Sequence, residues 1–112
     1  MDILPNAHNA VIPVEKFTEY ALNPQKQKDK SVAFEKALGY NLENYQKLIE
    51  EIKSNLFKYS AKLKPDMGFG QRYEVVMHIL GANGKTAKVL TAWIVESSTG
   101  ITRLTSVYVD ND

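Results

Sequence analysis

His78, Thr91, Trp93 and Arg103 carry more chemistry than packing alone requires. An imidazole titrates at about pH 6.5 and can move a proton, hydroxyl and guanidinium groups stabilise an oxyanion, and an indole stacks on a base. Such a set is sufficient for metal-free cleavage of RNA, in which the 2′-hydroxyl attacks its own phosphodiester. Lys85, beside Asn83–Gly84, is a candidate phosphate contact. Each residue also has a plainer use: His78 as a surface histidine, Trp93 as a core plug, Arg103 as a cross-strand partner of Glu74 or Glu96. A metal centre is poorly supported. The chain has no cysteine, and His8 and His78 stand isolated from one another. The run "GFGQRY" lacks the strand–loop–helix setting of a phosphate cradle, and no cofactor is implied.

The elements that must position these residues fall in two halves. "DILPNAHNAVIP" reads as an extended lead-in around Pro5 and Pro13. "VEKFTEYAL" predicts a short amphipathic helix, stopped at Asn23–Pro24 because the residue before proline is driven from the α region. "KSVAFEKALGY" predicts a second helix, with Val32, Ala33, Ala37 and Leu38 inward and Gly39 as its C-terminal cap. "LENYQKLIEEIKSNLFKYS" predicts a third and longest helix after Asn41, with Leu48, Ile49, Ile52 and Leu56 near a 3.6-residue period. "AKLKPDMGFGQ" is read as loop. The period then falls to 2 through "RYEVVMHIL", "TAKVLTAWIVES" and "ITRLTSVYVD". The expected architecture is α+β: about three N-terminal helices packed on one face of a C-terminal antiparallel meander of at least three strands.

Which side chains share a face depends on the turns. A two-residue Asn83–Gly84 turn would pair Ala82 with Lys85. That register sets Tyr73, Val75, Met77 and Ile79 with Lys88, Leu90, Ala92 and Ile94 against the helices. It leaves His78, Thr91 and Trp93 on the open face. For the last strand two registers stay open. A four-residue loop over "SSTG" brings Leu104, Ser106 and Tyr108 to the open face, and a three-residue loop with a bulge at Gly100 brings Arg103, Thr105 and Val107 instead.

The 112 residues bound a single domain over 1–112, 44% hydrophobic and 24% charged, able to bury a core without disulfides. A net charge of +1 hides local excess: Lys26, Lys28 and Lys30 stand against Asp29, and Lys58, Lys62 and Lys64 follow. Clusters of this kind fit contact with a polyanion. No apolar run is long enough for a membrane span and no signal peptide is recognised, so entry into another cell would need a carrier.

"LPNAHNAVIP", "KFTEYALNP", "KSVAFEKALGY" and "YEVVMHILGANGKTAKVLTAWI…TRLTSVYVD" together resemble a domain family of unknown function. That family recurs at the C-termini of bacterial polymorphic toxins, including contact-dependent growth inhibition systems, and of phage head-morphogenesis-like proteins. The element order is similar to the superfold of barnase, the EndoU nucleases, tRNA-cleaving colicins and RelE. The resemblance implies a secreted toxin domain delivered to the cytoplasm of a target bacterium. There it would act as a metal-independent ribonuclease, with tRNA as the favoured substrate. It also implies a cognate immunity protein, acidic if it covers the basic site. EndoU-like enzymes carry Ser/Thr-x-Tyr on the last strand, which corresponds here to Ser106-x-Tyr108. Their paired histidines and lysine have no clear counterpart, so His78 and Lys30 are alternatives for the general base. The expected catalytic set is Lys30, His78, Arg103, Ser106 and Tyr108, with Lys85, Thr91 and Trp93 on substrate. The competing expectation is a non-catalytic protein-interaction module, as in a phage or secretion-associated protein.

Overall fold

The computed structural model describes residues 2–111. Helix α1 spans Lys28–Leu38 and α2 spans Tyr45–Asn55. They precede an antiparallel sheet of β1 (Lys62–Lys64), β2 (Gly70–Leu80), β3 (Thr86–Glu96) and β4 (Thr102–Val109), in that spatial order. The expected α+β layout of helices followed by a meander is therefore what the chain adopts.

The helices differ from expectation in detail. In place of a first α-helix there is a π-helical turn at Phe17–Ala21, which buries Phe17 and Ala21. Asn23 seals its end, its side-chain amide donating to the Thr18 carbonyl at 3.0 Å. Helix α1 begins before Lys30 and buries Ser31, Phe34 and Leu38, while Val32, expected inward, is 39% exposed. Gly39 caps it in the left-handed region at φ 73°. Helix α2 is shorter than predicted. Asn44 rather than Asn41 precedes it and ties the linker down, its side chain donating to the Gly39 carbonyl and accepting from the Asn41 amide. The segment read as loop contains β1, which pairs with Arg72–Glu74.

Leu48 and Ile52 of α2, Leu56 just beyond it, and Phe34 and Leu38 of α1 form one core with Val75, Met77, Ile79, Val89, Trp93, Leu104 and Val107. At roughly 1.5–3 kcal/mol for each fully buried large side chain, this layer dominates stability. The N-terminal segment closes over β4. Val11 donates to the Thr102 carbonyl and accepts from the Leu104 amide, Thr102 Oγ1 donates to the Pro5 carbonyl, and Asn6 donates to the Gly100 carbonyl.

The first hairpin overturns the two-residue turn. Gly81 pairs with Lys85 through its amide at 2.7 Å, which leaves a three-residue loop of Ala82, Asn83 and Gly84, with Gly84 at φ 83°. The cause is tertiary. The Asn83 backbone amide and side-chain amide both reach back to the last turn of α1, at the Leu38 and Ala37 carbonyls, so the loop covers carbonyls that a helix end leaves unpaired. Gly81 must be glycine for this docking, since a Cβ there would lie 2.4 Å from the Leu38 oxygen. The added loop residue shifts the ladder by one: Val75 faces Thr91, Met77 faces Val89, and Tyr73 faces Trp93. Every β3 side chain is thereby exchanged between faces. Thr91 and Trp93 point into the core, and Lys88, Leu90, Ala92 and Ile94 join Arg72, Glu74, Val76 and His78 on the uncovered face.

Candidate functional site

In the second hairpin Glu96 pairs with Ile101 across a four-residue loop. Trp93 then faces Leu104 and Ile94 faces Arg103, but the register shifts at Ala92/Trp93, where Thr105 is the extra residue. Its hydroxyl donates to the Ala92 carbonyl at 3.1 Å and so holds the bulge in place. Beyond it Ser106 faces Ala92 and Tyr108 faces Leu90. The bulge thus reconciles what looked like exclusive alternatives. Arg103, Ser106 and Tyr108 all lie on the uncovered face, while Leu104, Val107 and Val109 fill the core.

Helix α1 brings Lys30 to the same edge, its Nζ standing 5.3 Å from the centre of the Tyr108 ring. A second lysine, Lys16, stands 5.6 Å from the Tyr20 ring beside the π-helical turn. Lys16, Tyr20, Gln27 and Lys30 surround a small cavity against Thr105 and Ser106, of about 80 Å³. That is the volume of two or three waters, room for a phosphate group but not a whole nucleotide. Among the described residues neither Lys16 nor Lys30 has a carboxylate partner, the two ion pairs being Lys64–Glu74 at 3.9 Å and Arg103–Glu96 at 3.3 Å. The Gln27 Oε1 is buried there with no hydrogen-bond partner among the described residues. Ammoniums with no carboxylate partner among the described residues, beside hydroxyls at one notch, suit an oxyanion.

The predicted site residues divide accordingly. Lys30, Ser106 and Tyr108 come together, with Arg103 further along the same strand. His78 does not join them: it is exposed on β2 opposite Lys88, two strand spacings from β4, about 10 Å. Its ring lies against Tyr59 at 6.4 Å. Lys85 is exposed at the docked hairpin tip. Thr91 and Trp93, expected on substrate, are 0% and 1% exposed. The Trp93 Nε1 donates to Thr91 Oγ1, and Thr91 Oγ1 donates to the Val75 carbonyl, both at 2.8 Å, which makes a closed core network. The displaced hairpin register accounts for this correction. Lys16 and Tyr20 are the site residues that sequence reasoning missed. Their signal was a Lys–x₃–Tyr spacing in the first helical segment, which reads equally well as an exposed helix face. Among the described residues no group of three or more His, Asp and Glu side chains converges as a metal site.

No curated protein and no solved structure matches this chain. A family model described as domain of unknown function DUF6883 matches residues 3–111. The bulged β4 edge and the helices that flank it all fall within that span, and the chain belongs to the DUF6883 family.

Proposed function

We propose that the β4 edge is the active site of a ribonuclease that needs no metal ion. The observation that carries the proposal is the Thr105 bulge, which sets Arg103, Ser106 and Tyr108 on one face, with the Lys30 ammonium over the Tyr108 ring. RNA cleavage by its own 2′-hydroxyl forms a 2′-oxygen–phosphorus bond as the phosphorus–5′-oxygen bond breaks. The leaving oxygen needs a proton, and the transient phosphorane needs positive charge. Tyr108 gives its proton to the leaving 5′-oxygen, and the 2′-hydroxyl proton passes to water, from which the phenolate is reprotonated. Lys30 stabilises the phosphorane, Ser106 orients its oxygens, and Lys16 and Arg103 hold neighbouring phosphates of the strand. His78 has no part in this arrangement.

As the effector domain of a larger secreted toxin, such an enzyme would act on tRNA in the cytoplasm of a target bacterium. An immunity protein would silence it in the producer. The test is cleavage of total tRNA by purified protein in chelator, against Lys30→Ala, Tyr108→Phe and Ser106→Ala. Tyr108→Phe and Lys30→Ala are each expected to lower the rate by about 100-fold or more at an unchanged melting temperature. Wild-type protein inert on tRNA, or variants as active as wild type, would refute the assignment.

A further inference from the structure

Phe69 is 75% exposed and Met67 67% exposed, on the loop that leads into β2. The Phe69 backbone is nevertheless held in place. The Phe69 carbonyl accepts from both the amide and the hydroxyl of Ser97, each at 3.2 Å. Gly70, at φ 149°, lies so close to β3 that a Cβ would stand 2.1 Å from the Val95 oxygen. An apolar ring presented to water on a backbone held in this way can meet a partner at little ordering cost.

The partner's charge follows from the surroundings. Between residues 58 and 72 the chain carries Lys58, Lys62, Lys64 and Arg72 against Asp66 alone. On the uncovered face Lys64 pairs across with Arg72, Arg72 with Ile94, and Ile94 with Arg103. One row of the sheet therefore carries three cations from the Phe69 loop to β4, over three strand spacings or about 14 Å. Lys64 and Arg103 have carboxylate neighbours, but partly exposed ion pairs are weak enough to exchange for phosphate.

We infer that Phe69 is a stacking platform for an unpaired base, and that the substrate is single-stranded RNA laid along this row toward Ser106 and Tyr108. The assignment builds on the β4 edge being the cleavage site. A single strand is required because bases within a duplex do not offer their faces to a protein ring.

The test uses Lys30→Ala protein, so that binding is read without cleavage. Probes are a short fluorescein-labelled oligoadenylate, its duplex with oligouridylate, and vesicles of phosphatidylserine with phosphatidylcholine. Adding Phe69→Ala should weaken single-strand binding on the order of ten-fold. Phe69→Trp should retain it, and duplex binding should not change. Single-strand affinity indifferent to Phe69, equal losses on strand and duplex, or a Phe69-dependent attachment to vesicles in place of RNA would overturn the inference. Phe69-dependent strand binding by a protein whose wild type never cleaves RNA would remove only the nuclease proposal. Cleavage with binding indifferent to Phe69 would remove only the platform.

Discussion

Replacing Thr91 with valine preserves the shape of the side chain and deletes its hydroxyl, at a position with no solvent exposure. Two hydrogen bonds disappear, Thr91 Oγ1 to the Val75 carbonyl and Trp93 Nε1 to Thr91 Oγ1. Each is worth about 1 kcal/mol net, and the stranded indole N–H adds roughly 1–3 kcal/mol of unrecovered desolvation. The extra methyl returns about 0.8 kcal/mol. The expected loss is about 2–4 kcal/mol, or roughly 8–16 °C in melting temperature for a domain of this size. Thr91→Ser, which keeps the hydroxyl and loses one methyl, should cost only about 1 kcal/mol. The assay is urea and thermal unfolding of the three proteins, with RNA cleavage measured per folded molecule. If the hydroxyl serves the core, Thr91→Val is unstable but as active as wild type once folded. A variant of wild-type stability that has lost cleavage would refute the placement and return Thr91 to the substrate surface.

Gly81→Ala should lower stability by about 2 kcal/mol or more, since its Cβ would collide with the Leu38 carbonyl and lift the hairpin tip from α1; urea unfolding checks it, and an unchanged midpoint would show that the tip is not docked. Tyr40 donates to the Leu80 carbonyl at 2.6 Å, and burial, with Glu51 adding repulsion, holds its phenol above the usual tyrosine pKa. A raised folded-state value stabilises the neutral form, so its contribution is complete below about pH 10 and is lost as pH climbs further. Tyr40→Phe should cost about 1 kcal/mol at neutral pH and flatten the alkaline decline in stability, whereas equal alkaline slopes in both proteins would contradict this. An immunity protein covering Lys16, Lys30 and Arg103 should be acidic, with an association rate that falls steeply with salt in stopped-flow measurements; a salt-insensitive rate would place its footprint elsewhere.

The order of elements was legible because periodicity is local: the 3.6-residue pattern of Leu48, Ile52 and Leu56 and the alternation of Val75, Met77 and Ile79 need no tertiary information. The faces of β3 were not. Asn83–Gly84 fits a two-residue or a three-residue turn, and contacts to Ala37 and Leu38, some 45 residues earlier, decide between them. The Thr105 bulge was equally hidden, because it contains no glycine and its anchor is a carbonyl on the neighbouring strand. Each missed residue reversed a face, which explains how Trp93 was misplaced while Ser106 and Tyr108 reached the expected side. Lys30 could be named from the sequence, but its position over Tyr108 depends on how α1 lies across the sheet edge.

The bonds from Pro5, Asn6 and Val11 to residues 100–104 have a consequence for the timing of synthesis. Thr102 and Pro5 are separated by 97 positions, so although Asp2 meets Ala61 and His8 meets Phe57 earlier, these bonds wait for one of the last parts of the domain to leave the ribosome. Strand β4 also supplies Arg103, Ser106 and Tyr108, so the same late segment completes both the fold and the candidate site. A nascent chain halted before Thr102 has neither. On the ribonuclease proposed above, the polypeptide would thus be inactive through most of its own translation, and a cognate inhibitor would have only a brief interval to cover.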